Sequence, residues 1–313
     1  MVPTEPATPT AVATPDPTRD AQQQYCNTAA PPAHVALPPL VPVIRITPPQ
    51  APSQALPATG GPHQVSSSDP PPQVTAPHVA VVDEASGAVL DSVDPFAREA
   101  PASITKIVTT IVALERQPDI KHVYTTTVSS SALVACDGSS VMGLEPDDHV
   151  TLETLLYGMM LPSGNDAAEQ VAYSLAGSRE TYVAWMNEEV ASLHLHDTHF
   201  VTPSGMDADD HFSSAYDMAM LARYAMQNPE FRTLAATKSF VGDDYYMHNL
   251  NPLLYSYAGT DGVKIGYTDI AGRTIVASAT HDGHRVYVSL MGSKNLVGDC
   301  TALFDWVWKT FQW

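Results

Sequence analysis

The stretch "PASITKIVTTIVALE" (101–115) sets a serine and a lysine three residues apart inside a run that is otherwise aliphatic and threonine-rich. Ile104, Ile107, Val108, Ile111 and Val112 recur at helical spacing, so one face of a helix is expected to be buried. Residues three apart lie one above the other on a helix, which puts Ser103 beside Lys106 in the first turn after Pro101. The pair reads in two ways. It is a helix-start serine with a lysine reaching past apolar neighbours to solvent, or it is a nucleophile beside its base. Of the six lysines, only Lys106 has a serine three residues before it.

Two further motifs carry the same kind of chemistry. "LPSGNDA" places Ser163, Gly164 and Asn165 in a break between two helical segments, where a loop can project a hydroxyl and an amide into a cleft or simply cap a helix. The serine–x–asparagine pattern recurs at Ser293–Asn295, so by itself it decides nothing. "GVKIGYT" sets Lys264 and Gly266 in a strand, the only lysine–x–glycine in the chain, and a strand glycine lets another backbone approach closely. Acyl transfer at a serine needs a nucleophile, a nearby base, a second hydroxyl to relay a proton and a cation for a substrate carboxylate. All four are present, in the order serine–lysine, serine–asparagine, lysine–glycine.

With their flanks, "GSSVMGLEP", "LPSGNDAAEQVA", "THFVTPSGMDADDHFSSAYDMAML" and "GVKIGYTDIAGRTIVASAT", these motifs resemble the serine D-alanyl-D-alanine carboxypeptidases, the low-molecular-mass penicillin-binding proteins, from about residue 78 to 311. The resemblance implies that Ser103 is the acylated nucleophile and Lys106 its general base, with a pKa lowered by apolar neighbours and by Lys264. It implies that Ser163 relays a proton to the departing D-alanine, Asn165 holds the substrate amide and Lys264 attracts the terminal carboxylate. The N–H groups of Ser103 and Tyr267 would form the oxyanion hole, with Gly266 between Lys264 and Tyr267. The implied substrate is the peptidoglycan stem peptide, with β-lactam antibiotics as covalent inhibitors and no cofactor or metal. Alternatives are a D,D-endopeptidase acting on cross-links and a weakly active or inactive penicillin-binding wall protein. A β-lactamase is disfavoured, because no glutamate-bearing loop stands out before the third motif.

Two departures from the family pattern matter. Ile265 stands where the family has threonine, which is expected to remove a hydroxyl from the substrate carboxylate. Only Lys294 stands where an arginine often follows the last strand. Strand alternation puts Thr268 on the same side as Lys264, so Thr268 or Lys294 is expected to compensate in part.

These residues must be positioned by an α/β scaffold of the α+β type, a mixed and mostly antiparallel sheet covered by helices. Two strands are expected within 78–93, and a helix at 103–116 stopped by Pro118. Two helices are expected within 150–177, broken at 162–164, and further helices at 178–195 and 213–227. Three strands and a final helix at about 299–311 complete the set. The last helix, within "FDWVWKTFQW", is expected to pack on the sheet.

Residues 1–77 hold 19 of the 27 prolines with four acidic and two basic side chains, the composition of a disordered linker. In that segment only "VALPPLVPVIRIT" (35–47) offers an apolar docking patch. The catalytic domain is therefore expected at 78–313. A net charge of −19 excludes a nucleic-acid partner, which needs a basic face. No run of 18 apolar residues predicts a transmembrane helix, and "MVPTEPATPT" lacks the basic and apolar regions of a leader. A Pro/Thr-rich tether suits an exported, extracytoplasmic protein. Cys26, Cys136 and Cys300 form neither a disulfide framework nor a zinc site, although one pair can form in an oxidising compartment. "HLHDTH" (His194, His196, His199) and "DADD" (207–210) are read as structural.

Overall fold

"HVAVVD", "TIVASAT" and "VYVSLM" are apolar on both sides of their alternation, and strands of that kind must be covered on both faces. The protein meets that demand with a central sheet between two helical layers. Its structure, a computed structural model, describes residues 61–65 and 69–313. The first half runs β1 (His63–Gln64), β2 (His78–Asp83), β3 (Val89–Val93), a 3₁₀ turn (Ala102–Thr105), α1 (Lys106–Arg116), β4 (Val123–Thr125), α2 (Ser130–Asp137), β5 (His149–Thr151), α3 (Leu152–Met160), α4 (Asn165–Ala176) and α5 (Arg179–Ser192). The second runs α6 (Ala215–Ala225), α7 (Pro229–Ala236), β6 (Ser239–Gly242), β7 (Tyr245–His248), α8 (Leu253–Ser256), β8 (Thr260–Thr268), β9 (Gly272–His281), β10 (His284–Ser293), α9 (Leu296–Thr310) and β11 (Phe311–Gln312).

The sheet order is β3-β2-β10-β9-β8, and every neighbouring pair is antiparallel. Ala80, Val82, Val276 and Tyr287 face the core shared with α1 and α3 to α7. Val79, Val81, Ile275, Ala277, Val286 and Val288 face Leu303, Phe304 and Val307 of α9. The period of two thus sorts one strand's side chains between two cores. α1 lies between sheet and outer helices, and ten of its eleven residues are buried. That full enclosure explains why its sequence is apolar on nearly all sides.

The expected elements from 78 onwards are in place. Ser214 caps α6 through a hydrogen bond from the Asp217 N–H. α9 begins three residues early, because the Asn295 side chain accepts from Gly298 N–H and starts the helix there. The β4–β5 ribbon, α2, α7 and the β6–β7 hairpin were not anticipated; each is short, at most eight residues in any one element, and several expose apolar side chains such as Val123, Val134, Val241 and Tyr246.

The boundary expected at residue 77 falls inside the folded unit. β1 pairs with β11. The Thr75 N–H and hydroxyl donate to Asp299 at 3.0 and 2.7 Å, and Trp306 Nε1–H donates to the Asp69 carbonyl at 3.0 Å. Proline removes donors but does not prevent an extended segment from packing on a surface, which is what composition alone obscured. The 35–47 patch lies outside the described residues.

A chain that starts at residue 78 should therefore melt below one that starts at residue 61. Losing about three such hydrogen bonds at about 1 kcal/mol each lowers Tm by about 6–12 °C for a domain of this size. Scanning calorimetry on the two chains checks this, and equal melting temperatures would refute it.

Candidate active site

Ser103 sits in the 3₁₀ turn that leads into α1 and keeps part of its surface accessible, while Ala102, Ile104, Thr105 and Lys106 around it are buried. Ala102 adopts φ +52°, a left-handed conformation unusual for a residue with a Cβ, and the turn places Ser103 at the surface of the cleft. Lys106 is 0% exposed. Its Nζ lies 2.9 Å from Ser103 Oγ, 2.7 Å from Asn165 Oδ1 and 2.7 Å from the Ser204 carbonyl. Burial first, and the nearby Lys264 ammonium second, hold the Lys106 pKa well below its ordinary value; the Asp166 and Glu169 carboxylates pull the other way. An ammonium donates to all three partners. A neutral amine has two hydrogens, and the two carbonyl oxygens are pure acceptors, so its lone pair is left facing the Ser103 O–H. The geometry thus suits a base that removes the Ser103 proton.

Ser163 and Asn165 occupy the break between α3 and α4, as the sequence suggested. Ser163 has φ +66° and is nearly buried. Lys264 Nζ donates to Ser163 Oγ at 3.0 Å and to the Ile265 carbonyl at 2.9 Å. A loop after α2 closes over this break. The Asp166 carboxylate accepts from Ser130 Oγ and from the N–H groups of Met142, Gly143 and Leu144. The Asn165 N–H donates to the Ser140 carbonyl at 2.7 Å. Glu169, whose burial raises its pKa, is paired with Arg179 at 2.9 Å.

Lys264, Gly266 and Thr268 alternate on the cleft side of β8. Lys264 is 2% exposed, and burial lowers its pKa to about 7. Gly266 is where the strand meets the 3₁₀ turn: a Cβ there would stand 2.7 Å from Ser103 N and 2.5 Å from Thr274 Oγ1. Only glycine lets the two backbones come this close, which is the physical content of the lysine–x–glycine spacing. The Tyr267 side chain is exposed and donates to Asp269.

Two expectations about this strand require correction. Ile265 pairs with Ile275 and packs against the α9 core, on the face away from the cleft, so it withdraws no hydroxyl from a substrate. Thr268 donates its only O–H to Asp207 at 2.8 Å, which leaves none for a carboxylate. Lys294 is tied through its backbone to Thr75 and Arg273, near the base of the N-terminal segment.

Sequence reasoning missed His211 and the Ser204 carbonyl, which have no signature of their own. His211 Nδ1 accepts from the N–H groups of Val201 and Thr202 at 2.9 and 3.3 Å, so its proton sits on Nε2, 3.1 Å from Thr105 Oγ1. The imidazole thereby ties the loop bearing Ser204 to the turn bearing Ser103. Gly205 in the same loop has φ +86°, and a Cβ there would overlap the Ala102 carbonyl. Burial, with His199 as a lesser cause, lowers the His211 pKa to about 4. In the unfolded chain the ring takes a proton near 6.5, so its neutral form stabilises the fold fully above that pH and the benefit is lost towards pH 4. Replacing His211 by glutamine should remove about 3 kcal/mol of the acid dependence of stability between those pH values. Urea unfolding at pH 7 and pH 4.5 measures it, and an unchanged pH slope would refute the assignment.

Over residues 64–295 the sequence matches the peptidase S11 family model, described as D-alanyl-D-alanine carboxypeptidase. It is 34% identical over 252 residues to D-alanyl-D-alanine carboxypeptidase DacA of Escherichia coli K12, covering 77% of this chain but only 62% of DacA. It is 34% identical over 255 residues to D-alanyl-D-alanine carboxypeptidase DacB2 of Mycobacterium tuberculosis, covering 78% and 86%. The fold superposes on the Streptomyces K15 DD-transpeptidase with TM-score 0.71 at 29% identity, covering 77% of this chain and 100% of that one. It superposes on a penicillin-binding protein homologue of Mycobacterium tuberculosis with TM-score 0.72 at 32% identity, covering 79% and 96%. With its three motifs gathered in one cleft, the chain belongs to the S11 family of serine peptidases, the D-alanyl-D-alanine carboxypeptidases.

Proposed function

We propose that the protein is an extracytoplasmic serine D-alanyl-D-alanine carboxypeptidase that removes the terminal D-alanine from peptidoglycan stem peptides through an acyl-enzyme on Ser103. The observation that carries this reading is the environment of Lys106: a buried amine whose two hydrogens are taken by Asn165 Oδ1 and the Ser204 carbonyl, with Ser103 Oγ at 2.9 Å. Neutral Lys106 takes the Ser103 proton as the oxygen attacks the carbonyl carbon of the penultimate D-alanine. The backbone N–H groups of Ser103 and Tyr267 receive the developing oxyanion. Ser163, held by Lys264 at 3.0 Å, passes a proton to the leaving amine, and Lys264 attracts the substrate carboxylate. Asn165 keeps a second N–H for the substrate amide. Water then cleaves the ester, with Lys106 again as base. A β-lactam enters the same route and acylates Ser103. No helix among the described residues is long and apolar enough to cross a membrane.

Labelling by a fluorescent penicillin tests the assignment. Ser103→Ala should abolish labelling in a folded protein, and labelled Ser103→Ala would overturn it. Lys106→Ala should slow acylation roughly 10²–10⁴-fold, the range of general-base assistance. Because the base is the neutral amine, the rate should rise with pH as Lys106 is deprotonated, and it should fall above about pH 7 as Lys264, which attracts the carboxylate, loses its charge; a rate that already falls with rising pH below about 7 counts against the assignment. Ile265→Thr, on the far face of the sheet, should leave the labelling rate within about threefold while costing about 1 kcal/mol of stability from lost burial. A gain of tenfold or more would restore Ile265 to the substrate pocket.

A further inference from the structure

The face of the sheet away from the cleft carries a second concavity that the proposed reaction does not use. A cavity of about 460 Å³ lies at the Thr260 end of β8, lined by Tyr257, Ala258, His281, Asp305 and Trp308. Sites for small ligands usually enclose about 300–1,000 Å³. The Gly259 carbonyl accepts from Thr280 N–H at 2.9 Å and fixes the loop bearing Tyr257 and Ala258 to β9. α9 supplies the other wall, with Asp305 and Trp308 three residues apart and so on one side of the helix.

The aromatic rings at this cavity are held in series. Buried Phe304 stacks on Tyr257 at 5.3 Å between centroids and 30° between planes, and on Trp308 at 6.2 Å and 3°. His281 stacks on Trp308 at 5.5 Å and 30°. Tyr257 and Trp308 are half-buried and border the cavity. An organic cation is held by a cage, with rings set at steep angles around the charge. A pyranose instead lays its axial C–H bonds, which carry partial positive charge, flat on the negative face of a ring. Neighbouring planes within 30° of each other make a platform, not a cage.

The polar groups fit the same ligand. Tyr257 donates to Asp305 at 2.8 Å, and burial first, with that bond second, raises the phenol pKa, so the proton stays on Tyr257. A carboxylate only accepts, and exposed Asp305 has lone pairs left for the hydroxyls of a sugar. Asp305 and the exposed Asp282 beside His281, on a chain of net charge −19, repel phosphate groups and anionic lipid surfaces.

We propose that this cavity is a saccharide-binding site that takes a sugar of a glycan strand, with Tyr257 and Trp308 as stacking surfaces and Asp305 as the hydroxyl acceptor. Its assignment to glycan rests on the reading that the substrate is peptidoglycan, in which the reaction at Ser103 acts on the stem peptides and leaves the sugar strands unheld. Tyr257 and Trp308 pack with Ile265 on the α9 core, on the face opposite Lys264, so a strand bound here holds the enzyme on the polymer without entering the cleft.

The experiment is calorimetric titration of the full chain with the linear tetramer of N-acetylglucosamine, which carries no peptide. Saturable binding is expected. Trp308→Ala should weaken it about tenfold or more, and Asp305→Ala about five- to tenfold, the loss of one hydrogen bond to a charged group. Trp308→Phe, which keeps a stacking face, should stay within about threefold of the parent. Penicillin labelling at the parent rate shows that each variant is folded. No binding up to about 10 mM tetramer overturns the proposal, since even a Kd of about 1 mM is only about 4 kcal/mol. So does tighter binding of tetramethylammonium, which marks a cation cage, or of phosphatidylglycerol vesicles, which marks a membrane contact. Binding undiminished in both Trp308→Ala and Asp305→Ala places the saccharide elsewhere and overturns it too. A parent that is labelled by penicillin but does not bind the tetramer sinks this inference alone; a parent that binds the tetramer but is never labelled keeps the saccharide site and sinks the acylation reading.

Discussion

The arrangement depends on keeping one amine buried without an ion-pair partner. A fully enclosed ammonium is costly unless paired, and the usual remedy is an adjacent carboxylate. Two carboxylates are close by, but each is engaged elsewhere. Asp166 is saturated by a hydroxyl and three backbone N–H groups of the loop above it, and Glu169 is paired with Arg179. Lys106 is left with neutral acceptors and with Lys264 as a like-charged neighbour. The apolar enclosure of α1 and the lacing of the roof loop follow from the same requirement: water and counter-ions must be kept from this nitrogen.

The same requirement sets the backbone tolerances. The three motifs come from a helix start, a helix break and an edge strand, and they converge only because backbones approach unusually closely. Gly266 and Gly205 permit the contacts on either side of the 3₁₀ turn. Ala102 and Ser163 accept left-handed conformations that side chains disfavour. Strain of this kind persists where the surroundings over-determine the conformation, and here the surroundings are the buried faces of α1, α3 and α4.

The convergence of the three motifs was more legible in the sequence than its supports were. Ser103, Lys106, Ser163, Asn165 and Lys264 could be singled out because few residue types do this chemistry and their spacings were nearly unique in the chain. The long elements were readable because α1 and β8 to β10 are periodic. His211 and Ser204 were not readable: a histidine that bridges two loops and a backbone carbonyl leave no periodic trace. Ile265 was misjudged by comparing residue types without asking which face of β8 the side chain takes. The segment before residue 78 was misjudged because proline content reports on lost donors and stiffness, whereas Thr75 and Asp69 are held by particular partners in α9.

Among the described residues β8 ends the sheet and pairs with β9 alone. From Lys264 to Thr268 the backbone groups on its other side join no ladder among those residues, directly beside Ser103. An extended peptide laid along that border would continue the antiparallel pattern as a sixth strand, joined by main-chain hydrogen bonds that ignore side-chain identity. The pleat then acts as a ruler. Successive carbonyls of the guest point alternately towards and away from the sheet edge, so a slip of one residue exchanges the bond presented to the hydroxyl for one facing elsewhere. Registration along a border, rather than the shape of a pocket, would decide which amide is cut.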